Sequence, residues 1–187
     1  EKLNGIVVCY DADSMCTENY LQEIQNHFRH GNVQSTSIYF EHPIGGMAFS
    51  SAVYSAIIQY ELHLRYFIDM QKSIGLPFSY HTVGSSMACT VSAYCAVGGM
   101  NQRKAGEDFY FIHKLVKYGH HSELNTTKVI PSPRISDRVP FGTGKAVGEL
   151  SDLDDIIYST YDPRSFLDLK QLVEILPKLY AGERKID

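Results

Sequence analysis

Residues 82–100, T-V-G-S-S-M-A-C-T-V-S-A-Y-C-A-V-G-G-M, constrain the fold more than any other stretch of the sequence. A β-branched pair and a glycine lead into two serines, and small and apolar residues follow. The pattern predicts a strand that ends at Gly84 and a helix that begins near Met87, with Ser85 or Ser86 exposed on the turn between them. Because the first N–H groups of a helix have no partner within it, this turn suits either a nucleophilic serine beside oxyanion donors or an ordinary serine N-cap.

The first quarter of the chain alternates between strand and helix patterns. Residues 5–10, G-I-V-V-C-Y, form the apolar run of a buried strand, and Asp11-Ala12-Asp13-Ser14 follows as turn and helix-cap chemistry. Apolar positions from Tyr20 to Phe28 recur at helical spacing, and residues 36–40 read as a second strand. This order predicts an α/β fold with a mostly parallel sheet and surrounding helices.

The middle of the chain adds a long helix and two further strands. Residues 47–70 have a helical pattern, and residues 78–83 predict the strand that leads into the serine turn. Residues 108–112, D-F-Y-F-I, predict another strand, with His113 at its end.

The last third of the chain is harder to interpret. Residues 114–149 contain several prolines and glycines without a clear hydrophobic period, so we expect an arm or excursion. A short helix is predicted at residues 150–157 and an amphipathic helix at residues 165–179. The 187 residues fit a single domain.

Composition excludes several classes of function. The formal charge, 17 − 21 = −4, gives no basic field for nucleic acid, and no apolar run is long enough to span a bilayer. The four cysteines lack the CxxC spacing of a zinc or redox site, which favours a reduced, intracellular setting and predicts no metal or other cofactor. The chain begins at Glu1 rather than methionine, which suggests a processed form.

A nucleophilic serine needs a base and an orienting carboxylate. His113, at a predicted strand end, would lie on the sheet edge where active sites of open α/β folds gather. Asp162, in a turn before the last helix, is a candidate third member. The glycine pair Gly45 and Gly46 follows a strand and could bring backbone N–H groups close to a ligand, although an ordinary turn explains it equally well.

The order Ser86, His113, Asp162 and the sequence around each residue resemble the proteolytic subunit of the Clp protease, a member of the crotonase-like superfamily. S-S-M-A at residues 85–88 is similar to that family's nucleophile turn, and F-I-H at residues 111–113 is similar to its strand before the base. Residues 166–176 resemble the segment after its aspartate, and H-P-I-G-G at residues 42–46 is similar to its glycine loop.

This resemblance implies repeated β-β-α units and a serine endopeptidase in which Ser86 attacks a peptide carbonyl and His113 carries the proton. Asp162 would orient the imidazole, while backbone N–H groups of Met87 and of Gly45 or Gly46 would hold the oxyanion. It also implies a peptide or unfolded-protein substrate, a homo-oligomeric ring, a possible AAA+ unfoldase partner and a cytoplasmic or organellar location, with a viral source also open.

Three alternatives stay open at this point. Ser85 is a rival nucleophile, a crotonase-like acyl-CoA enzyme would use the same oxyanion donors, and a catalytically silent ring subunit would need no triad. An α/β-hydrolase is excluded, because its order of serine, acid and histidine requires a histidine after Asp162, and none follows.

Overall fold

The computed structural model describes residues 5–102, 105–153 and 157–181. In chain order, its strands and helices are β1 (Ile6–Cys9), β2 (Met15–Cys16), α1 (Tyr20–His30), β3 (Ser35–Phe40), α2 (Ser51–Ser73), β4 (Met87–Thr90), α3 (Val91–Ala96), α4 (Glu107–Tyr118), β5 (His121–Ile130), α5 (Thr143–Ser151) and α6 (Pro163–Tyr180).

The five strands found in these residues form one mixed sheet in the order β1-β4-β3-β5-β2. β3 and β5 are parallel, whereas β1–β4, β4–β3 and β5–β2 are antiparallel. The fold is therefore α/β as predicted, but the prediction of a mostly parallel sheet is wrong. The physical reason is that β4 enters between β1 and β3 and runs opposite to both, so these two strands share a direction without pairing.

Helices cover both faces of the sheet. Tyr20 and Ile24 of α1 pack on Ala88 at one face, and Phe111 of α4 packs on Met87 at the other. The neighbouring residues Met87 and Ala88 face opposite sides because side chains alternate along a strand. A third cluster joins α2 to α5.

Several predicted elements are confirmed. β1, α1, β3, α2 and α6 lie where the apolar patterns placed them. Among the described residues, only β1-β2-α1 follows a β-β-α order, so the expected repetition of that unit is not observed. Within the same residues, no helix combines the length and apolar character that crossing a membrane would require.

The serine turn is in the expected position, but the elements on either side of it differ. Residues 79–83 are irregular rather than a strand, and the serines lead into β4 rather than into a helix. The helix begins only at Val91, where the Thr90 side chain accepts a hydrogen bond from the Ala93 N–H. The small residues Ala88 and Cys89 fit a buried central strand as well as they fit a helix, and periodicity alone does not separate the two.

The segment around His113 is helical, which corrects the predicted strand at residues 108–112. Phe111, Ile112 and Leu115 are all 1% exposed, and their spacing is that of the buried face of α4. The predicted arm at residues 114–149 instead contains the end of α4, β5 and α5. A register shift in the β3–β5 pairing interrupts the alternation of buried residues along β5 and hid that strand from sequence.

The short helix predicted at residues 150–157 is also misplaced. The observed α5 ends at Ser151, where the prediction would have begun it, and residues 154–156 lie outside the described chain.

Candidate functional site

The candidate site lies at one edge of the sheet, where β1 ends and β4 begins. Because these strands are antiparallel with Cys9 opposite Met87, the turn after β1 and the turn before β4 lie side by side. The first turn carries Asp11 and Asp13, both exposed. The second is closed by a 2.9 Å hydrogen bond from the Ser86 N–H to the carbonyl three residues earlier.

The first turn of α4 brings a third carboxylate to the same edge. Asp108 is half-buried there, and its Oδ1 accepts a 2.7 Å hydrogen bond from the Phe109 N–H. A methyl group on Gly84 would lie 3.3 Å from Oδ2 of Asp108, so this carboxylate packs directly against the turn before β4. The helix is held in place because Phe111 packs in one core with Met87.

Burial and neighbouring negative charges raise the pKa values of acidic groups at this edge. Burial raises the pKa of Asp108, and the negative charges of Glu107 and Asp11 raise it further. Burial also raises the pKa of the Cys9 thiol, to which Asp11 and Asp108 both add. Although far apart in the chain, Asp11 is near enough for its charge to raise the pKa of Asp108, which holds a proton more readily than an ordinary aspartate.

The two acids after β1 differ in their partners. Asp13 forms an ion pair with Arg134, whose hydrogen bond lowers the pKa of the Asp13 carboxyl. Asp11 forms no ion pair with any residue that the structure describes. One carboxylate is therefore anchored while its neighbour is available to a ligand.

Carboxylate oxygens at an exposed turn suit a hard divalent cation. Mg²⁺ takes one or two protein carboxylates and fills its other positions with water and substrate phosphates. Over residues 5–102, 105–153 and 157–181, no group of three or more His, Cys, Asp or Glu side chains could hold a metal ion. A cation bound at Asp11 or Asp13 would therefore need further ligands besides these carboxylates, such as water or a substrate phosphate.

The structure places two members of the predicted triad in unexpected settings. Ser86 is 2% exposed, and its Oγ has no hydrogen-bond partner, so the expected exposed nucleophile is buried. His113 lies in the middle of α4 rather than at a strand end, and its ring contacts Phe78 and Phe109 with centroid distances of 5.0 and 4.1 Å.

The third predicted member has a structural role. Asp162 is the N-cap of α6, and its side chain accepts a 2.8 Å hydrogen bond from the Arg164 N–H. No hydrogen bond joins any two of Ser86, His113 and Asp162, all of which lie in the described part of the chain.

The predicted oxyanion donors lie in a strand and in a loop. Met87 is 1% exposed and lies within the sheet, opposite Cys9 on one side and Ser37 on the other, rather than at the start of a helix. Gly45 and Gly46 lie in the exposed loop after β3. Gly46 has a φ of 140°, a backbone conformation that glycine adopts readily, so the pair serves a sharp change of chain direction.

A protein-family model described as Glycosyl transferase family group 2 matches residues 6–156. The match covers most of the 187 residues and includes Asp11, Asp13 and Asp108. The chain belongs to glycosyl transferase family group 2. No curated protein matches the chain.

Membership of this glycosyl transferase family overturns the resemblance to the proteolytic subunit of the Clp protease. The same match shows that the predicted serine endopeptidase activity and hydrolase class are wrong. It also removes the two alternatives, a catalytically silent ring subunit and a crotonase-like acyl-transfer enzyme. The likeness depended on short motifs, S-S-M-A and F-I-H, which lie at the start of β4 and inside α4. The peptide substrate, the homo-oligomeric ring, the AAA+ unfoldase and the cellular location were implied by that resemblance and stay untested.

Sequence reasoning missed the carboxylates of this site. The pattern D-A-D at residues 11–13 is explained by turn and capping chemistry, and Asp108 is the first residue of the strand predicted at residues 108–112. The available signal was a pair of acids, separated by a single residue, directly after a predicted buried strand. Capping requires only one such side chain, so the second acid was unexplained.

Proposed function

We propose that this chain is a glycosyltransferase that moves a sugar from a donor with a phosphate leaving group to an acceptor hydroxyl, at the edge formed by Asp11, Asp13 and Asp108. The family match supports glycosyl transfer. The observation that carries the location is the half-buried Asp108, whose pKa is raised by burial and by nearby acids including Asp11.

Asp108 is suited to be the catalytic base. In the transfer, the acceptor oxygen forms a bond to the anomeric carbon while the bond from that carbon to the donor's phosphate oxygen breaks. The electron pair leaves with the phosphate, and the hydroxyl proton goes to the base. A carboxylate with a raised pKa takes this proton more readily than an ordinary one, and a positioned base typically contributes about 10²–10⁴ in rate.

Asp11 and Asp13 are suited to the donor's phosphate end. Carboxylates and phosphates repel each other, so these residues would bind the donor together with a divalent cation. When bound, such a cation neutralises charge on the leaving phosphate. The ion pair with Arg134 restricts the side chain of Asp13, whereas Asp11 has no such restraint from the described residues.

The test is donor turnover by the purified chain in the presence of Mg²⁺ or Mn²⁺. UDP-glucose, UDP-N-acetylglucosamine and GDP-mannose are each supplied with a mixture of sugar acceptors, and release of UDP or GDP is measured. We expect release with at least one donor, and loss of release in Asp11→Asn but not in the matched exposed control Asp168→Asn. Absence of both release and calorimetric binding for every donor would overturn the proposal.

A further inference from the structure

A cavity of about 280 Å³ lies between helix α2 and one face of the sheet. Residues of β3, α2 and β5 line it, and it shares no residue with the three carboxylates of the candidate site. Its volume is near the lower end of the range of roughly 300–1,000 Å³ that ligand pockets occupy. The cavity therefore has room for a molecule of about the size of a monosaccharide.

The side of α2 that faces this cavity is charged. Arg65, Asp69 and Lys72 recur at helical spacing along it, and all three line the cavity. The buried residues of α2 all lie in its first two turns, within residues 53–57. A helix that packs on a sheet ordinarily turns an apolar stripe toward it, so a charged stripe here keeps a polar, open space between helix and sheet.

The sheet contributes polar side chains to the opposite wall of the cavity. Glu123 and Asn125 of β5 both line it. Tyr39 of β3 lies beneath the Arg65 guanidinium, whose carbon is 5.0 Å from the centre of the tyrosine ring. Both walls are therefore polar, in contrast to the apolar contacts that α1 and α4 make with the sheet.

The cations of the cavity are already paired. The Lys72 ammonium lies 2.7 and 2.9 Å from the two carboxylate oxygens of Glu123. Arg65 donates to Glu61 at 2.6 and 3.0 Å. His81 also lines the cavity, and burial, together with the charges of Arg65 and Lys72, lowers the pKa of its imidazole below the ordinary 6.5. The imidazole is therefore neutral at pH 7 and adds no charge.

Two polar groups of the cavity remain available to a ligand. The Asp69 carboxylate and the Asn125 amide are exposed, and neither pairs with a residue that the structure describes. The carboxylate accepts hydrogen bonds, whereas the amide both donates and accepts them. A ligand with two adjacent hydroxyls satisfies both groups, because each hydroxyl donates and accepts as well. Asp69 repels an anion, while Arg65 and Lys72 on either side of it along α2 oppose a cation.

We propose that this cavity binds a neutral saccharide of about one sugar ring. One hydroxyl of the ring donates to the Asp69 carboxylate, and an adjacent hydroxyl accepts from the Asn125 amide. The site requires neither the nucleotide sugar nor the cation of the proposed glycosyl transfer, so its test stands apart from that of the proposed function.

The first experiment titrates the ¹⁵N-labelled chain, without nucleotide sugar or divalent cation, with the methyl glycosides of glucose, galactose and mannose. We expect at least one of them to shift the backbone amide resonances around Asp69 and Asn125 in a saturable way, with a Kd on the order of 1 mM for a ligand of this size. The charged sugars glucuronate and glucosamine should bind more weakly than the best neutral glycoside. No saturable shift with any neutral glycoside, or equal or tighter binding of a charged sugar, would overturn the proposal.

The second experiment replaces the carboxylate while keeping the side-chain volume. Asp69→Asn should weaken binding of that glycoside about 10-fold, because an amide oxygen accepts a hydrogen bond less strongly than a carboxylate does. Asp168→Asn makes the same change at an exposed position of α6 outside the cavity and should leave the affinity unchanged.

Asn125→Ala tests the second contact independently and should weaken binding at least about 3-fold. The amide spectrum of each variant shows whether it is folded. Unchanged affinity in folded Asp69→Asn or in folded Asn125→Ala, or an equal loss in Asp168→Asn, contradicts the assignment.

Discussion

Asp108 and Glu61 are both partly buried acids, yet their environments drive them in opposite directions. The charges that act on Asp108 from the described residues are those of the acids Glu107 and Asp11, so burial and repulsion raise its pKa. Glu61 is also buried, but it accepts hydrogen bonds from His42 and Arg65, and its pKa is lowered. The difference teaches that burial alone does not mark a reactive carboxylate. What distinguishes Asp108 from Glu61 is that no described residue pairs its carboxyl with a cation, which leaves this acid able to exchange a proton.

The largest expected effect comes from removing the acid that lacks a cation. Asp108→Asn keeps the side-chain volume and the hydrogen bond from the Phe109 N–H, but it cannot accept a proton. We expect transferase activity to fall about 10²–10⁴-fold, with an unfolding free energy close to that of the unmodified chain. Steady-state kinetics with the active donor measure the loss.

If Asp108 is the base, the activity should depend on pH in a defined direction. The base must be ionised, so activity should rise with pH through the raised pKa of Asp108. Glu107→Gln removes one of the neighbouring charges that raise this pKa, and should therefore shift the acidic limb of the profile to lower pH. A limb that does not move in Glu107→Gln would argue that another group controls activity.

The acid with cationic partners should matter for stability instead. Glu61→Ala leaves the His42 ring N–H and the Arg65 guanidinium without their shared acceptor. Loss of these partly buried ion pairs should lower the unfolding free energy by about 3 kcal/mol. This value is near the low end for buried ion pairs because the Glu61 side chain is still partly exposed. Urea unfolding measures the change.

Glu174→Ala on α6 is the control for this loss. Glu174 is exposed, and the same truncation there should leave stability nearly unchanged. If both variants unfold at the same urea concentration, Glu61 does not stabilise the fold, and its difference from Asp108 is not that between a structural and a reactive acid.

The buried histidine His121 shows the corresponding effect of burial on a basic side chain. His121 is 7% exposed, and its two ring nitrogens contact Ser35 and Ser37 at 2.8 and 3.2 Å. Burial, with the charge of His120, lowers its pKa from 6.5 to about 4. The unfolded chain therefore binds the extra proton first as pH falls, so stability is fully present above the unfolded pKa and declines toward the folded one.

This contribution should amount to roughly 2 kcal/mol of unfolding free energy lost between pH 7 and pH 5. Denaturant unfolding at several pH values checks it, with His121→Gln as the variant that lacks the titrating ring. A variant with the same pH slope as the unmodified chain would show that His121 is not the source.

Sequence alone located the elements whose periodic patterns are complete in themselves. β1, α1, β3 and the long helix α2 follow from apolar spacing within each segment. The failures arose where tertiary contacts decide. β4 is a strand because β1 and β3 pair with it on both sides, and β5 lost its alternation at a register shift that only the pairing with β3 reveals.

The site was missed for a related reason. Asp11 and Asp108 are linked neither by spacing nor by a shared motif, and only the antiparallel pairing of β1 with β4 and the packing of α4 bring them together. Motif matching instead favoured Ser86 and His113, whose burial and aromatic contacts could not be predicted from their immediate neighbours.

The smallest expected effect separates pairing from burial. Lys72 and Glu123 form an ion pair at 2.7 Å, as close as that of Glu61 with its partners, but their side chains are 40% and 31% exposed. Water screens this pair, so a double-mutant cycle with Lys72→Ala and Glu123→Ala should give a coupling of about 0.2–1 kcal/mol that weakens in high salt. A coupling as large as the loss expected for Glu61→Ala would mean that ion pairs stabilise this chain regardless of exposure, and that the partial burial of Glu61 does not explain its effect.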